Sequence, residues 1–284
     1  MIKNFAVFIL SYGRPKNIKT LNTLNRFGYT GKTYIVCSDD DNTLKEYIKI
    51  YKDQIKVFNK DKIKKTFDIG DNFTQNKVVI FARNAVFDIA KNLNIKYFLV
   101  LDDDYTDFSY RFNDKLRYKD GRAYINNVND IFKAVLEFYK KIPAKSVALS
   151  QNGDWIGGKE NSKASILKLK RKCMNSFFCS TDRQFKFIGR INEDVTTYVN
   201  CGSKGDLFFT INNVSLKQTD TQQNKGGLTE FYLDTGTYVK SFYSVLFNPS
   251  CVKVSMLNTE RSRLHHKIKW NNAVPKIINE KYKI

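Results

Sequence analysis

The sequence predicts an α/β fold in which a mainly parallel, Rossmann-like sheet is flanked by helices. Short apolar segments such as 5–10 and 97–101 alternate with segments such as 76–93 that carry apolar residues at helical spacing. The apolar segments are continuous rather than alternating, which is typical of parallel strands buried on both faces. In sheets of this kind, ligands bind at the carboxyl ends of the strands.

The first half of the chain contains the alternating strands and helices expected of this fold class. We expect strands at 5–10, 33–37, 55–58 and 97–101. Pro15 suits the first turn of a helix that continues through Leu24, and further helices are expected at 43–51 and 76–93. The polar segment 38–41 precedes the second helix and supplies side chains that can cap it.

The second half is less regular and predicts a smaller antiparallel region. Aromatic residues at a period of two indicate a strand or hairpin arm in 105–117, followed by a helix at 128–139 and a strand at 146–149. No Pro- or Ser-rich linker divides the chain. We therefore expect a single domain over 1–284, with a nucleotide-sugar-binding half (1–104) and an acceptor-binding and catalytic half (105–284).

The charge of the chain favours an anionic partner. Its 284 residues carry a formal net charge of +20, mostly from Lys, which points to phosphate contact rather than base reading; the Lys and Ile usage of an AT-rich genome is the competing explanation. Five cysteines without a CxxC pair favour a reducing compartment. The apolar run 5–10 is too short for a signal sequence or a membrane span, so we expect a cytoplasmic protein.

Three consecutive aspartates, Asp102, Asp103 and Asp104, follow the predicted strand 97–101 directly. Adjacent carboxylates at a buried strand end are costly without a cation, and Mg²⁺ or Mn²⁺ binds carboxylate oxygens together with substrate phosphates. An acidic turn is the alternative. Ser11 and Asp39 follow other predicted strands, so the three positions can meet in one crevice.

The segment 189–194 supplies two further carboxylates, Glu193 and Asp194. Asn192 suits a helix N-cap with both acids in the first turn, which is a purely structural explanation. The functional interpretation makes one of them the general base that deprotonates an acceptor hydroxyl, with Asp194 preferred to Glu193.

The basic segment 261–267 contains the pair His265-His266. One histidine can complete a metal shell, and Arg261 and Arg263 can hold a diphosphate. A surface basic segment is the alternative. Arg83, early in the predicted helix 76–93, can reach a nucleotide or lie on the surface.

Taken together, these motifs resemble a known family. The turn 11–15, Ala82-Arg83-Asn84, the aspartate triplet and Asn192-Glu193-Asp194 resemble the GT-A glycosyltransferase layout. More narrowly, Gly189-Arg190 with 193–198, and the stretch 265–277, resemble the TET-associated glycosyltransferases of bacteriophages, over almost the whole chain. Here Ile191 and Asn192 separate Gly189-Arg190 from Glu193, where the family pattern is tighter, so the identity of the base stays open.

The resemblance implies transfer of a sugar from a UDP-sugar to the hydroxyl of a 5-hydroxymethylpyrimidine, foremost 5-hydroxymethylcytosine, in phage DNA, with Mn²⁺ or Mg²⁺ as cofactor. It implies that donor binding involves Ser11, Tyr12, Arg14, Asp39, Arg83, Asp102 and Asp103, and that the metal ligands are Asp104, Asp102 and His266.

Other functions remain open at this point. The acceptor can instead be a cell-surface or lipid-linked glycan. The carboxylates can serve a two-metal nucleotidyltransferase or nuclease. A nonenzymatic basic DNA-binding protein is the third alternative. The sugar, the stereochemistry, the modified base, duplex or flipped DNA as acceptor, and the oligomeric state are not set by the sequence.

Overall fold

Ten strands form one mixed sheet in the computed structural model, which describes residues 2–74, 76–115, 117–155, 167–168, 173–219, 236–257 and 262–275. The strands of this sheet are β1 (Phe5–Leu10), β2 (Lys32–Ser38), β3 (Ile55–Phe58), β4 (Tyr97–Asp102), β5 (Tyr105–Phe112), β6 (Tyr118–Tyr124), β7 (Ser146–Gln151), β8 (Leu167–Lys168), β9 (Ser176–Ser180) and β10 (Phe208–Gln218). A separate antiparallel ribbon consists of β11 (Val252–Leu257) and β12 (Arg263–Ile268).

Helices cover both faces of the sheet and the ribbon. They are α1 (Lys19–Arg26), α2 (Leu44–Tyr51), α3 (Lys60–Lys64), α4 (Ile80–Asn92), α5 (Val128–Lys141), α6 (Glu193–Ser203), α7 (Lys240–Phe247) and α8 (Trp270–Ala273). Short 3₁₀ turns lie at Lys52–Gln54, Asn152–Trp155 and Thr237–Val239. The predicted α/β class is confirmed, as are the four early strands.

The sheet order is β3-β2-β1-β4-β9-β7-β10-β5-β6, with β8 paired to β10. The first four strands are parallel, β9 is antiparallel to both its neighbours, and β7 and β10 are again parallel to each other. The carboxyl ends of β1, β2, β4, β7 and β10 therefore lie at one edge, where the amino ends of β9 and β5 also lie. This edge carries the candidate site.

Two apolar layers explain why β1 and β4 are continuously hydrophobic. Along β1, Ala6, Phe8 and Leu10 pack into the layer that includes α4 and α6, whereas Phe5, Val7 and Ile9 pack into the layer of α1, α2 and α5. Because both faces are covered, alternation with polar residues is absent, as the sequence indicated.

Two predicted helices begin later than their sequence patterns suggest. Pro15 precedes α1 instead of lying in its first turn, because the backbone N–H of Arg14 donates to the Tyr47 hydroxyl and fixes this segment as a turn. Helix α4 begins at Ile80 rather than at residue 76. The predicted side-chain cap of α2 is wrong: the N-cap position is Thr43, which makes no side-chain capping bond, and Asp41 Oδ1 instead accepts from the Thr43 backbone N–H at 2.8 Å, in the turn before the helix.

Candidate active site

A buried guanidinium, that of Arg83, lies at the centre of the site. Its Nη2 lies 3.3 Å from Asp102 Oδ1 and donates to Asn175 Oδ1 at 2.9 Å, and its Nε lies 3.1 Å from Glu193 Oε1. Burial alone would lower the pKa of Arg83, but the charges of Asp102 and Glu193 outweigh burial and raise it. Arg83 therefore joins a carboxylate at the end of β4 to one at the start of α6.

Asp103 is held by side chains from the turn after β1. Ser11 Oγ donates to Asp103 Oδ2 at 2.6 Å and pairs with the Tyr47 hydroxyl at 2.7 Å, and Arg14 Nη1 lies 3.1 Å from Asp103 Oδ1. Burial raises the pKa of Asp103, and Arg14 opposes this shift. Among the predicted donor-site residues, Ser11 and Arg14 thus meet the triplet directly, and they orient Asp103.

We expect Ser11→Ala to lower the free energy of unfolding by about 1.5–3 kcal/mol, because it removes a buried hydrogen bond to a carboxylate. The measurement is urea unfolding of wild type and variant. Ser203→Ala is the matched control, since the Ser203 hydroxyl is exposed and bonds only to the Asn200 carbonyl within the described residues. Equal losses in the two variants would contradict the assigned contact.

Asp104 differs from its two neighbours in having an unsatisfied carboxylate oxygen. Its Oδ1 is buried and has no hydrogen-bond partner among the described residues, whereas its backbone carbonyl accepts from Thr219. Burial, together with the charge of Asp102, raises the pKa of Asp104 to about 7. Gln218 and the charge of Arg14 oppose this shift, but no described residue hydrogen-bonds to Oδ1, and such a group is stabilised by a cation.

Glu193 and Asp194 are both buried at the first turn of α6. Burial raises the pKa of Glu193, and the charge of Arg83 opposes that shift. Asp194 Oδ1 accepts from the Val195 backbone N–H at 2.7 Å. At Asp102, burial raises the pKa, Arg83 opposes the shift and the charge of Asp194 adds to it. The two acids of α6 therefore lie within electrostatic range of the triplet.

The loop before α6 is fixed by a second buried arginine. Arg190 Nε donates to both carboxylate oxygens of Asp71, at 2.8 and 2.9 Å, and Asp71 also accepts from the Tyr243 hydroxyl. Gly189 has φ +83°, and a Cβ there would lie 3.2 Å from Phe247, so glycine fits both the backbone and the space. These contacts fix the approach to Glu193.

Asn192 occupies the N-cap position, but it does not cap through its side chain. Its backbone is left-handed, with φ 58°, and its Nδ2 donates to Ser244 Oγ at 2.6 Å and lies 3.3 Å from His266 Nδ1. The position predicted for Asn192 is confirmed, while its side chain instead connects the start of α6 to α7 and β12.

Residues 5–227 of the sequence match the model of a family called TET-Associated Glycosyltransferase. This match covers the aspartate triplet, Arg83 and the two acids of α6. The chain belongs to this family. It is accordingly a glycosyltransferase, as the resemblance indicated.

No protein with a curated description matches this glycosyltransferase. Solved structures with similar folds include glucosyl-3-phosphoglycerate synthase from Mycobacterium tuberculosis in complex with Mn²⁺, UDP and phosphoglyceric acid, at 8% identity and a TM-score of 0.45, covering 93% of this chain and 86% of that one. Mannosyl-3-phosphoglycerate synthase from Rubrobacter xylanophilus is similar at 10% identity and a TM-score of 0.43, with coverage of 93% and 86%. At these values the likeness assigns no residue a role.

Three residues predicted to bind the metal or the diphosphate come from the segment 261–266, far along the chain from the aspartate triplet. His266 is buried on β12 beside Asn192. Within the described residues, no group of three or more His, Cys, Asp or Glu side chains is arranged to hold a metal, so His266 as a third ligand stays a prediction. Arg263 begins β12. Arg261 lies outside the described residues.

Tyr12 and Asp39 lie near the carboxyl ends of β1 and β2, as predicted. The Tyr12 hydroxyl donates to the Asp40 carbonyl at 3.4 Å, and Lys60 Nζ lies 5.3 Å from the centre of the Tyr12 ring. Asp39 accepts from Asn59 Nδ2 at 2.7 Å and from the backbone N–H of Lys60 at 3.1 Å. Both residues are at the edge that carries the triplet, and a nucleoside contact for Asp39 stays a prediction.

Sequence reasoning missed Asn175 and Gln218. Asn175 has a left-handed backbone, with φ 51°, and its Oδ1 accepts from Arg83, while Gln218 Nε2 approaches Asp102 Oδ2 at 3.5 Å. Neither residue stands in a motif, and neither follows a strand of the first half. Only the position of β9 and β10 within the sheet brings Asn175 to Arg83 and Gln218 to Asp102. Asn84, by contrast, pairs with the backbone of Phe187 in both directions at 2.9 Å and has a structural role.

Proposed function

We propose that this glycosyltransferase transfers a sugar from a UDP-sugar to the hydroxyl of a 5-hydroxymethylpyrimidine, 5-hydroxymethylcytosine foremost, in phage DNA. The observation that carries the proposal is the pair of ion pairs made by the buried Arg83. Its guanidinium contacts Asp102, which we assign to donor binding, and Glu193, which is next to the proposed base Asp194. The TET-associated family and the net charge of +20 support a DNA acceptor.

A divalent cation, Mn²⁺ or Mg²⁺, fits the residues present. Asp104 has a buried carboxylate oxygen without a hydrogen-bond partner among the described residues. The negative charge of Asp102 acts on the same carboxyl group and raises its pKa. Hard cations of this kind bind one or two carboxylates and complete their shell with phosphate oxygens and water. When bound, the cation supplies neutralisation of the charge on the departing diphosphate. Asp102 and Asp104 would hold it, with His266 as a further proposed ligand.

The residues of the chain itself then account for the transfer. Asp194 accepts the proton of the acceptor hydroxyl while the hydroxyl oxygen forms a bond to the anomeric carbon. The bond from that carbon to the diphosphate oxygen breaks, and UDP leaves with the electron pair. Glu193 is ion-paired to Arg83, which favours Asp194 as the base. Direct attack of this kind inverts the anomeric centre. Arg14, Asp39 and Arg83 bind the donor, and Arg261 and Arg263 support its diphosphate.

The cysteines and the helices bear on where the reaction takes place. All five cysteines are free thiols, which suits the reducing cytoplasm of a host cell. Within the described ranges, none of the helices has the length and apolar character needed to cross a bilayer. We propose the host cytoplasm as the location.

Mass spectrometry of nucleosides tests the proposed reaction. DNA containing 5-hydroxymethylcytosine or 5-hydroxymethyluracil is incubated with the protein, Mn²⁺ and a panel of UDP-sugars, then digested. We expect one nucleoside to gain the mass of one sugar residue, with release of UDP. A sugar added only to a glycan or lipid-linked acceptor supplied in parallel would reject the DNA acceptor. Nucleotide release from DNA without a sugar donor would reject glycosyl transfer.

Asp194→Asn is expected to lower the rate of transfer at least about 10²-fold, the contribution of a general base, while UDP binding stays within twofold of wild type. Single-turnover assays and calorimetric UDP titration provide the two readouts. Glu193→Gln is the matched comparison: if it loses the proton-transfer step and Asp194→Asn keeps full activity, the base is Glu193 instead.

A further inference from the structure

Two side-chain amides, those of Asn175 and Gln218, join Arg83 to the aspartate triplet by a second route. Arg83 Nη2 donates to Asn175 Oδ1 at 2.9 Å, and Asn175 Nδ2 donates to Gln218 Oε1 at 3.4 Å. Gln218 Nε2 lies 3.5 Å from Asp102 Oδ2, and Arg83 Nη2 lies 3.3 Å from Asp102 Oδ1. The contacts close into a ring of four side chains, in which the two amides have no role in the proposed transfer.

The orientation of both amides follows from the guanidinium. A guanidinium has only donors, so the atom of Asn175 that faces Arg83 is its carbonyl oxygen. The amide nitrogen of Asn175 therefore faces Gln218, where it requires the carbonyl oxygen. This leaves the amide nitrogen of Gln218, a donor, directed at the carboxylates. Every contact in the ring thus runs from the arginine toward the acids.

The backbone at the end of β10 holds Gln218 against the triplet. The pairing of β10 with β5 shifts its register between Lys217 and Gln218. Irregularities of this kind recur beside active sites, where they redirect a side chain. The next residue, Thr219, donates from its backbone N–H and from its hydroxyl to the Asp104 carbonyl, both at 3.2 Å. The strand end is therefore attached to the triplet through its main chain as well as through Gln218.

The Gln218 amide acts on both acids that are proposed to hold the cation. At Asp104, burial and the charge of Asp102 raise the pKa, and the hydrogen bond from Gln218 opposes that shift. At Asp102, burial raises the pKa, and both the charge of Arg83 and the hydrogen bond from Gln218 oppose it. Asp104 Oδ1 keeps no hydrogen-bond partner among the described residues. One neutral donor thus reaches two carboxylates and leaves this oxygen available to a cation.

A second glutamine nearby shows a different arrangement. Gln151, the last residue of β7, is half-buried like Gln218. Its Nε2 donates to the Tyr105 hydroxyl at 3.2 Å and to the Met174 carbonyl at 3.4 Å. Gln151 therefore connects neutral groups of the fold, whereas Gln218 directs its nitrogen at carboxylates. The two residues form a matched pair for experiment.

We propose that Gln218 is a positioning residue of the cation site, and that its amide orients Asp102 and Asp104 toward one shared divalent cation. Arg83 fixes this amide through Asn175. Carboxylates that bind a metal are themselves held by hydrogen-bond donors, and loss of such a donor lowers metal affinity about 10–100-fold. The inference rests on the proposed function. It adds that the arginine that pairs with the triplet also sets the orientation of the proposed metal ligands.

The test is the affinity for Mn²⁺ at a fixed concentration of UDP, measured from the electron paramagnetic resonance signal of free Mn²⁺. A titration of UDP without protein corrects for the Mn²⁺ that UDP itself binds. We expect Gln218→Ala to raise the Kd for Mn²⁺ at least about tenfold. Gln151→Ala, the matched control, also loses side-chain hydrogen bonds and should keep a Kd within twofold of wild type.

Two further variants separate positioning from a general loss of packing. Gln218→Glu keeps an acceptor for Asn175 but turns the donor into a third carboxylate oxygen. Its melting temperature in EDTA should lie below that of wild type, and Mn²⁺ should raise it by more than it raises wild type. Asn175→Gly suits the left-handed backbone at this position, with φ 51°, and removes the relay. Its Kd for Mn²⁺ should lie between those of wild type and Gln218→Ala.

Three outcomes would overturn the inference. Gln218→Ala binds Mn²⁺ as tightly as wild type does; or Gln151→Ala weakens binding as much as Gln218→Ala; or wild type binds no Mn²⁺, which removes the proposed cation as well. A failure of the proposed reaction looks different: the variants follow the expected order of Mn²⁺ affinity, yet wild type adds no sugar to any hydroxymethylated DNA. The positioning role of Gln218 then stands.

Discussion

Asp104→Asn is expected to abolish sugar transfer while leaving the protein at least as stable as wild type. The rate should fall about 10³-fold or more, because the variant loses a ligand of the proposed cation and with it several kcal/mol of charge stabilisation. Donor binding that depends on Mn²⁺ should be lost as well. The measurements are UDP release and calorimetric titration with UDP in Mn²⁺ and in EDTA.

The stability part of this prediction follows from the sign of the pKa shift. Burial raises the pKa of Asp104 to about 7, so the folded protein binds that proton more tightly than the unfolded chain does. The ionised carboxylate therefore destabilises the fold in EDTA, most fully above pH 7, and an amide removes that cost. We expect a melting temperature at pH 8 in EDTA equal to or above that of wild type.

Asp114→Asn is the matched control for Asp104. This carboxylate is exposed, and its Oδ1 accepts from the backbone N–H of Lys115 at 3.1 Å, a bond that an amide oxygen can also accept. The activity and the melting temperature of this variant should stay close to those of wild type. Full transfer activity in Asp104→Asn, with the same dependence on Mn²⁺, would remove Asp104 from the proposed metal site.

Arg83→Met is expected to cause the largest loss of stability, about 3–5 kcal/mol in the free energy of unfolding. It leaves the part-buried carboxylate of Asp102 and the buried carboxylate of Glu193 without the guanidinium that lies between them. Transfer should also be lost, since the variant no longer connects the donor side to α6. Urea unfolding and the transfer assay, both at low temperature, measure the two effects.

Two further variants separate the role of Arg83 in the site from its role in the fold. Arg83→Met/Glu193→Gln removes one of the two charges and should regain part of the stability but no activity. Arg183→Met removes an arginine that donates to the carbonyls of Tyr139, Ile142 and Ala144, away from the triplet. We expect it to lower stability and to keep UDP affinity. If Arg83→Met also kept UDP affinity, donor binding by Arg83 would be excluded.

The first half of the fold was predictable because its signals are local. Strands β1 and β4 are continuous apolar runs, and the acid triplet begins at the last residue of β4. A parallel sheet brings strand ends together, so Ser11 and Asp103 could be expected to meet. Their contact at 2.6 Å agrees with that expectation. The GT-A-like class followed from the same motifs.

The second half depended on contacts between residues far apart in the chain. Strand β9 inserts antiparallel between β4 and β7, and β10 pairs with both β7 and β5. No local pattern specifies that order, because it depends on how segments far apart in the chain pack against each other. Asn175 reaches Arg83, and Gln218 reaches Asp102, only as a result of it.

Hydrophobic pattern and charge are properties of neighbouring residues, so the α/β fold, the acidic strand end and the basic character of the chain could be predicted from the sequence; the activity was indicated by the resemblance to TET-associated glycosyltransferases. The tertiary structure decided which charges meet: Arg83 on α4 pairs with acids from β4 and α6, which are about ninety residues apart. It also decided that one face of α7 holds Asn192 while the other exposes Phe242. Burial and pairing across such separations depend on how the elements pack, which no local pattern records.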